Sequence, residues 1–124
     1  MQVKIDTREK FHVITINQSS LAANMTADLN NCLVPLLQND VRNVVLNLKD
    51  IKNIDIAAAE NLVKLQQMFY EQNASFVVCE LQKTVEDTLE KEELLEMMNV
   101  TPTESEAGDI VMMEEIEREL DFDF

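Results

Sequence analysis

Two short apolar runs constrain this chain more than anything else in it. VRNVVLNLKD, residues 41–50, places Val44, Val45 and Leu46 in a row with Leu48 close behind, and SFVVCEL, residues 75–81, repeats the pattern. Neither run alternates apolar with polar residues, so each predicts a strand buried on both faces. The most periodic stretch of the chain, Asp55 to about Gln72, lies between them. Its Ala58, Leu62, Leu65 and Phe69 follow the i, i+4, i+7, i+11 spacing of one helix face. A strand, a helix and a second doubly buried strand make a parallel pair joined by a right-handed crossover.

The flanking segments extend this unit. VKID (3–6) has Val3 and Ile5 on one side and Lys4 and Asp6 on the other, the period of a half-buried strand. A polar turn at Thr7–Lys10 then leads to FHVITI (11–16), β-branched and suited to the second strand of a hairpin. NQSSLAAN (17–24) is expected as a loop. MTADLNNCLVPLLQND reads as a helix capped by Asn24 or Thr26, with Leu29, Cys32 or Leu33, and Leu36 or Leu37 toward the core. Pro35 inside that pattern should kink or restart it. Thr84 to about Lys91 predicts a short acidic helix, and LLEMMNV (94–100) a short strand or extended edge. The last segment opens with overlapping start signals, Thr101-Pro102-Thr103-Glu104 and the capping box Thr103 to Glu106. Ala107, Ile110, Val111, Ile116 and Leu120 would form the apolar side of its helix. The expected fold class is α/β: one domain over residues 1–124, with a mixed β-sheet of four to five strands, about four helices, and an acidic C-terminal helix and tail from about residue 103.

Charge is unevenly spread. Residues 1–79 hold 8 acids and 7 bases, whereas residues 80–124 hold 16 acids and 3 bases. Such a balance repels phosphate backbones and anionic lipid, so neither direct nucleic-acid binding nor membrane adsorption is expected. The acidic half reads as a solvated face that keeps the chain soluble or as a docking surface for a basic partner. The opening MQVKIDTREK has no apolar h-region, and no apolar run approaches the ~20 residues of a bilayer span. Cys32 and Cys79 each sit inside an apolar pattern and read as reduced buried thiols, although spacing alone does not exclude a bridge. A cytoplasmic protein, monomeric or weakly dimeric, is expected.

Catalytic signatures are missing. The one glycine, Gly108, lies in the last predicted helix, whereas phosphate-cradling loops need several glycines. The one histidine, His12, stands in a strand without an acidic or cysteine neighbour at ligand spacing. No nucleophile elbow occurs, and the many carboxylates of the last third fall on predicted solvent faces. No enzyme, metal or cofactor is therefore expected.

Attention falls on KNIDIAAAENLVKL, residues 52–65, where strand passes to helix, because open α/β sheets meet ligands and partners at the carboxyl ends of strands. Asp55 is placed to cap the helix, accepting from the amides of Ala57 or Ala58. Ala58 points inward above Leu62, while Ile56 and Ala57 fall on the outer side near Lys64 and Met68. On that side Glu60 and Lys64 are spaced for an i,i+4 ion pair. Alanines here serve helix formation, but an isoleucine in water at the same place suggests a contact patch. The expected partner-binding residues are Asp55, Ile56, Ala57, Lys64 and Met68.

The stretch VVLNLKDIKNIDIAAAENLVKL resembles the STAS domain (sulphate transporter and anti-sigma factor antagonist). That family's pattern is a buried strand ending in aspartate or its like, a short loop with a hydrophobic residue, then Asp-Ser-Ser-Gly opening a helix. The hairpin, SFVVCEL with its short helix, LLEMMNV, and the Thr-x-x-Glu-Ala start at Thr103–Ala107 extend the resemblance over nearly the whole chain. Position by position, Asp55 matches the motif aspartate, Ile56 replaces the first serine, Ala57 the second, and Ala58 the glycine. Asn47 stands where the strand usually ends in aspartate. The family's sigma-regulating members use the second serine as phosphoacceptor, so Ala57 is a degenerate phosphoacceptor position. No Ser or Thr occurs between Ala27 and Ala74.

The resemblance implies a protein-interaction module that docks on an anti-sigma factor or kinase-like protein. In the family, a phosphate at the helix start adds roughly −1.5 to −2 charge and blocks docking; Ala57 mimics the unmodified state. Two alternatives stand beside it: a STAS scaffold subunit of a lipid-transport or stress-signalling complex, and a nucleotide or small-anion binder using the amides of residues 56–58. Asp55 and the net charge of −14 oppose the last.

Overall fold

The computed structural model describes residues 1–122, with side chains through residue 120. Seven strands and four α-helices follow in the order β1 (Val3–Thr7), β2 (Phe11–Ile16), β3 (Ser20–Leu21), α1 (Thr26–Leu33), β4 (Asn43–Asn47), β5 (Asn53–Ile54), α2 (Ile56–Glu71), β6 (Phe76–Cys79), α3 (Lys83–Lys91), β7 (Val100–Thr101) and α4 (Glu104–Phe122). Five strands form a mixed sheet in the order β1-β2-β4-β6-β7, and β3 and β5 form a small second ladder. The β1–β2 hairpin is antiparallel; β2, β4, β6 and β7 run parallel. The α/β class and mixed five-stranded sheet with four helices are those expected from the sequence.

The two apolar runs become the central strands β4 and β6, buried along their whole length. Alternate residues serve opposite faces, as the pleat requires. Val44, Leu46, Phe76 and Val78 join Ile14 and Ile16 in the larger core, under side chains of α1, α2 and α3. Val45, Val77 and Cys79 join Val13 in a smaller core beneath Ala107 and Val111 of α4. Three helices therefore cover one face and a single helix the other. Within the larger core, Phe69 and Phe76 meet edge to face at 5.2 Å.

Local chemistry sets the element ends. Past the end of α2, Asn73 takes a left-handed conformation (φ 59°). The amides of Asn73 and Ala74 then donate to the carbonyls of Tyr70 and Phe69 at 3.1 and 2.9 Å, the Schellman arrangement in which asparagine can replace glycine. Pro35 restarts the chain as expected: α1 ends at Leu33 and a 3-10 segment runs from Val34 to Gln38. Gly108 has its own reason to lack a side chain. A Cβ there would sit 3.0 Å from the ring of Phe11, so glycine lets α4 lie close on β2.

Several expectations need correction. The pattern puts Ile5 on the core side with Val3, yet it is 48% exposed: β1 is an edge strand, and Val3, with Met1 before it, packs on the larger core. Residues 17–24 are not simply a loop: Ser20 and Leu21 pair with Asn53 and Ile54. Neither Asn24 nor Thr26 caps α1. Instead a 3-10 turn at Ala23–Met25 precedes it, and the Thr26 hydroxyl donates to the Ala23 carbonyl at 2.9 Å. LLEMMNV, expected as a short strand or extended edge, meets this only at its end: a 3-10 turn spans Leu95–Met97, and Val100 opens the two-residue β7 with Thr101. The last helix has two apolar sides, not one: Ala107 and Val111 are buried, whereas Ile116 and Leu120 are exposed. Phe122 and Phe124, two aromatics after a charged run that the sequence would fold back on the domain, have side chains outside the described residues.

The single helix on the second face is held by polar clips. Asn43 donates to Glu115 at 2.7 Å and to the Lys10 carbonyl at 2.9 Å, and accepts from the Ser75 amide at 2.7 Å. Asn47, at the other end of β4, donates to Glu104 at 3.0 Å. The Tyr70 hydroxyl donates to Glu114 at 2.8 Å. Arg118 reaches Ser75 and pairs with Glu115 at 3.1 Å. Thr103 caps α4, its hydroxyl accepting from the Glu106 amide at 3.2 Å. Glu80, held left-handed at φ 60°, accepts from the Glu104 amide at 2.9 Å.

Candidate functional site

The opening of α2 stands at the carboxyl end of β4. Asn47 ends that strand buried, its side-chain oxygen accepting from the Lys49 amide at 2.9 Å. The following turn buries Leu48 and Ile51. The chain is then tied to the 17–23 segment: Lys52 N–H donates to the Ser19 carbonyl at 2.7 Å, and Asp55 N–H to the Leu21 carbonyl at 3.0 Å. The β3–β5 ladder thus fixes where α2 starts.

Asp55 is the N-cap residue by backbone conformation, but its carboxylate does not cap. Its Oδ2 accepts from the Ala23 amide at 2.8 Å. The expectation of a bond to Ala57 or Ala58 is therefore wrong. The competing donor comes from a segment 32 residues earlier, which no local pattern reveals. Asp55 staples the turn before α1 to the start of α2 and brings exposed Ala23 to the site, a residue sequence reasoning missed.

The helix then sorts its residues as the periodicity predicted. Ala58 and Leu62 are buried, while Ile56 is 48% exposed and Ala57 is open to solvent. Lys64 and Met68 are exposed on the same side as Ala57, but about 10 and 17 Å along the axis from it by helical rise. The five expected residues therefore form a compact cluster, Asp55 to Ala57, and a strip leading away from it. Lys64 is not paired with Glu60: the ion pairs among the described residues are Met1–Asp28, Asp6–Arg8, Lys83–Asp87 and Glu115–Arg118. Asn61, one turn beyond Ala57, exchanges two amide hydrogen bonds with Asn30 of α1, at 2.9 and 3.2 Å. That reciprocal pair fixes α1 beside α2 and borders the patch. A polar residue at i+4 from Ala57 was its only sequence signal.

The other chemically capable groups are committed to structure. Both ring nitrogens of His12 are engaged, Nδ1 with the Thr7 hydroxyl and Nε2 with the Val41 carbonyl, each at 2.9 Å. A carbonyl only accepts, so Nε2 carries a proton. Cys32 and Cys79 are free thiols. Burial first, then the charges of Glu104 and Glu80, pushes the Cys79 thiol up to about 12, far from a reactive thiolate. Burial also raises Cys32. Among the described residues, no group of three or more His, Cys, Asp or Glu is arranged to hold a metal ion, and no helix is long and apolar enough to cross a membrane.

Solved structures share this fold. A candidate anti-sigma factor antagonist from Thermotoga maritima superposes with a TM-score of 0.75 at 17% identity, over 89% of this chain and 94% of that one. A serine-to-glutamate variant of RsbS from Moorella thermoacetica gives 0.73 at 14% identity, over 90% and 96%. The anti-sigma factor antagonist SpoIIAA in its unphosphorylated form gives 0.70 at 15% identity, again over 90% and 96%. At such identities the likeness establishes the fold. No curated sequence matches the chain. The STAS domain model matches residues 2–107, from the hairpin through the first turn of α4, and the chain belongs to the STAS domain family.

Proposed function

We propose that this protein is a non-enzymatic interaction module of the anti-sigma factor antagonist kind, docking through the opening of α2 on an anti-sigma factor or kinase-like partner without phosphorylation control. One observation carries the proposal: Ile56 and Ala57 lie in solvent at the start of a STAS-type helix that contains no serine or threonine. A large apolar side chain held half in water at the start of a helix adds little to the core and is open to contact. Asp55, locked to Ala23, sets one charge beside the apolar patch, while Lys64 and Met68 extend the contact along α2.

The missing hydroxyl decides regulation. Phosphate on a serine at this place would add roughly −1.5 to −2 charge beside the Asp55 carboxylate and oppose docking through repulsion and desolvation. Ala57 has the size and neutrality of the unmodified state, so the protein stays competent to dock. The test uses the partner that co-purifies with the tagged protein from its own host. Where that partner is a kinase, it should place radiolabelled phosphate on α2 of an Ala57→Ser variant and none on α2 of the native chain. Label on both, or on neither while the partner phosphorylates a STAS protein that keeps its serine, would refute the proposal.

A further inference from the structure

α4 presents a second apolar stripe that its packing on the sheet does not use. Met113, Ile116 and Leu120 are 59%, 54% and 54% exposed. Their spacing, i, i+3, i+7, is that of core positions in a two-helix seam. Met112 is exposed beside them. These residues lie beyond residue 107, where the family match ends. They sit on the helix that covers the second face of the sheet, away from the α2 opening.

Charge selects the occupant. Glu117 and Glu119 are exposed and flank the stripe at the positions next to a seam, and Asp109 and Glu106 are exposed one and two turns before it. The single base of α4, Arg118, is turned to Glu115 and Ser75, so it does not offset them. A second copy would set these carboxylates against themselves, in a chain of net charge −14. Anionic lipid meets the same repulsion. A helix with an apolar stripe bordered by lysine or arginine meets apolar surface and opposite charge together.

We propose that the Met113–Ile116–Leu120 stripe of α4 seats one cationic amphipathic helix of a partner protein, at a surface separate from the α2 opening. Two fluorescein-labelled helical peptides of about 18 residues, five turns, test this. They share a leucine stripe and differ in having lysine or glutamate beside it. Anisotropy titrations at low salt with the full chain should give binding of the lysine peptide alone. Backbone amide shifts should then concentrate on residues 109–120. A Met113→Ser, Ile116→Ser double variant should weaken binding by roughly tenfold or more with an unchanged thermal midpoint. Glu90→Gln with Glu93→Gln, which removes two exposed charges away from α4, should leave it unaltered. Absence of binding, equal binding by the serine variant, or a sedimentation dimer abolished by Ile116→Ser would each overturn the proposal. Ala57→Glu should not alter peptide binding, so this test stands or fails apart from docking at α2.

Discussion

The two faces of the sheet are closed in different ways. One is sealed by three helices through side chains such as Ile14, Leu46, Leu62, Phe69 and Phe76, all fully buried. The other is covered by α4 over a small valine-rich patch, and the helix is fixed there by Asn43, Asn47, Tyr70 and Ser75 reaching its carboxylates and arginine. Apolar burial is non-directional and tolerates adjustment. Buried polar clips are directional and costly when half broken. The first face therefore supplies stability, and the second supplies orientation to a helix that would otherwise hold by few apolar contacts.

Substitutions should separate these modes. The largest effect is expected for Leu62→Ala in the larger core, a loss of about 2–5 kcal/mol from transfer and cavity terms, read as a lower urea midpoint. Asn43→Ala should cost less, about 1–3 kcal/mol, because it strands the buried Ser75 amide and frees Glu115. Its fingerprint is selective loss of hydrogen-exchange protection in α4. If Asn43→Ala proved as costly as Leu62→Ala, or loosened both faces equally, the division between them would fail.

Alkaline pH should act on the same boundary. Burial first, then the hydrogen bond to Glu114, raises the Tyr70 phenol from 10.0 to about 12. Between those values the unfolded chain loses the proton while the folded chain keeps it. The Tyr70 share of stability is thus fully present below pH 10 and declines as pH rises toward 12, and the Cys79 thiol, raised from 9.0 to about 12, adds a decline of the same sign that begins at pH 9. Denaturation curves from pH 9 to 12 should show the decline, and Tyr70→Phe should make it shallower above pH 10, leaving the part that Cys79 carries. The smallest effect is expected at the α2 opening. Ile56→Ser and Ala57→Glu alter solvent-exposed positions and should move stability by no more than about 0.5 kcal/mol.

How far the sequence spoke depended on whether the determining contacts were local. The strands around Val44–Leu46 and Phe76–Cys79 follow from short unbroken apolar runs, and the inward face of α2 from a pattern of period 3.6. The outward placement of Ile56 and Ala57 was legible for the same reason. What escaped was long-range or too short to have a period. The two-residue β3 and β5 carry no alternation, and the Asp55 carboxylate was taken by an amide distant in sequence. Ile5 alternates correctly but sits on an edge strand that covers only about half of it. In α4, apolar residues of two faces were merged into one, because residues that pack the sheet and residues that face solvent follow each other along one helix.

Docking at α2 without a phosphate switch is tested most directly by titrating the co-purified partner calorimetrically with the native chain, Ala57→Ser and Ala57→Glu. The native chain and Ala57→Ser should bind alike, and Ala57→Glu should bind at least roughly tenfold more weakly while folding as stably as the native chain. Equal affinity for all three would contradict docking through the opening of α2.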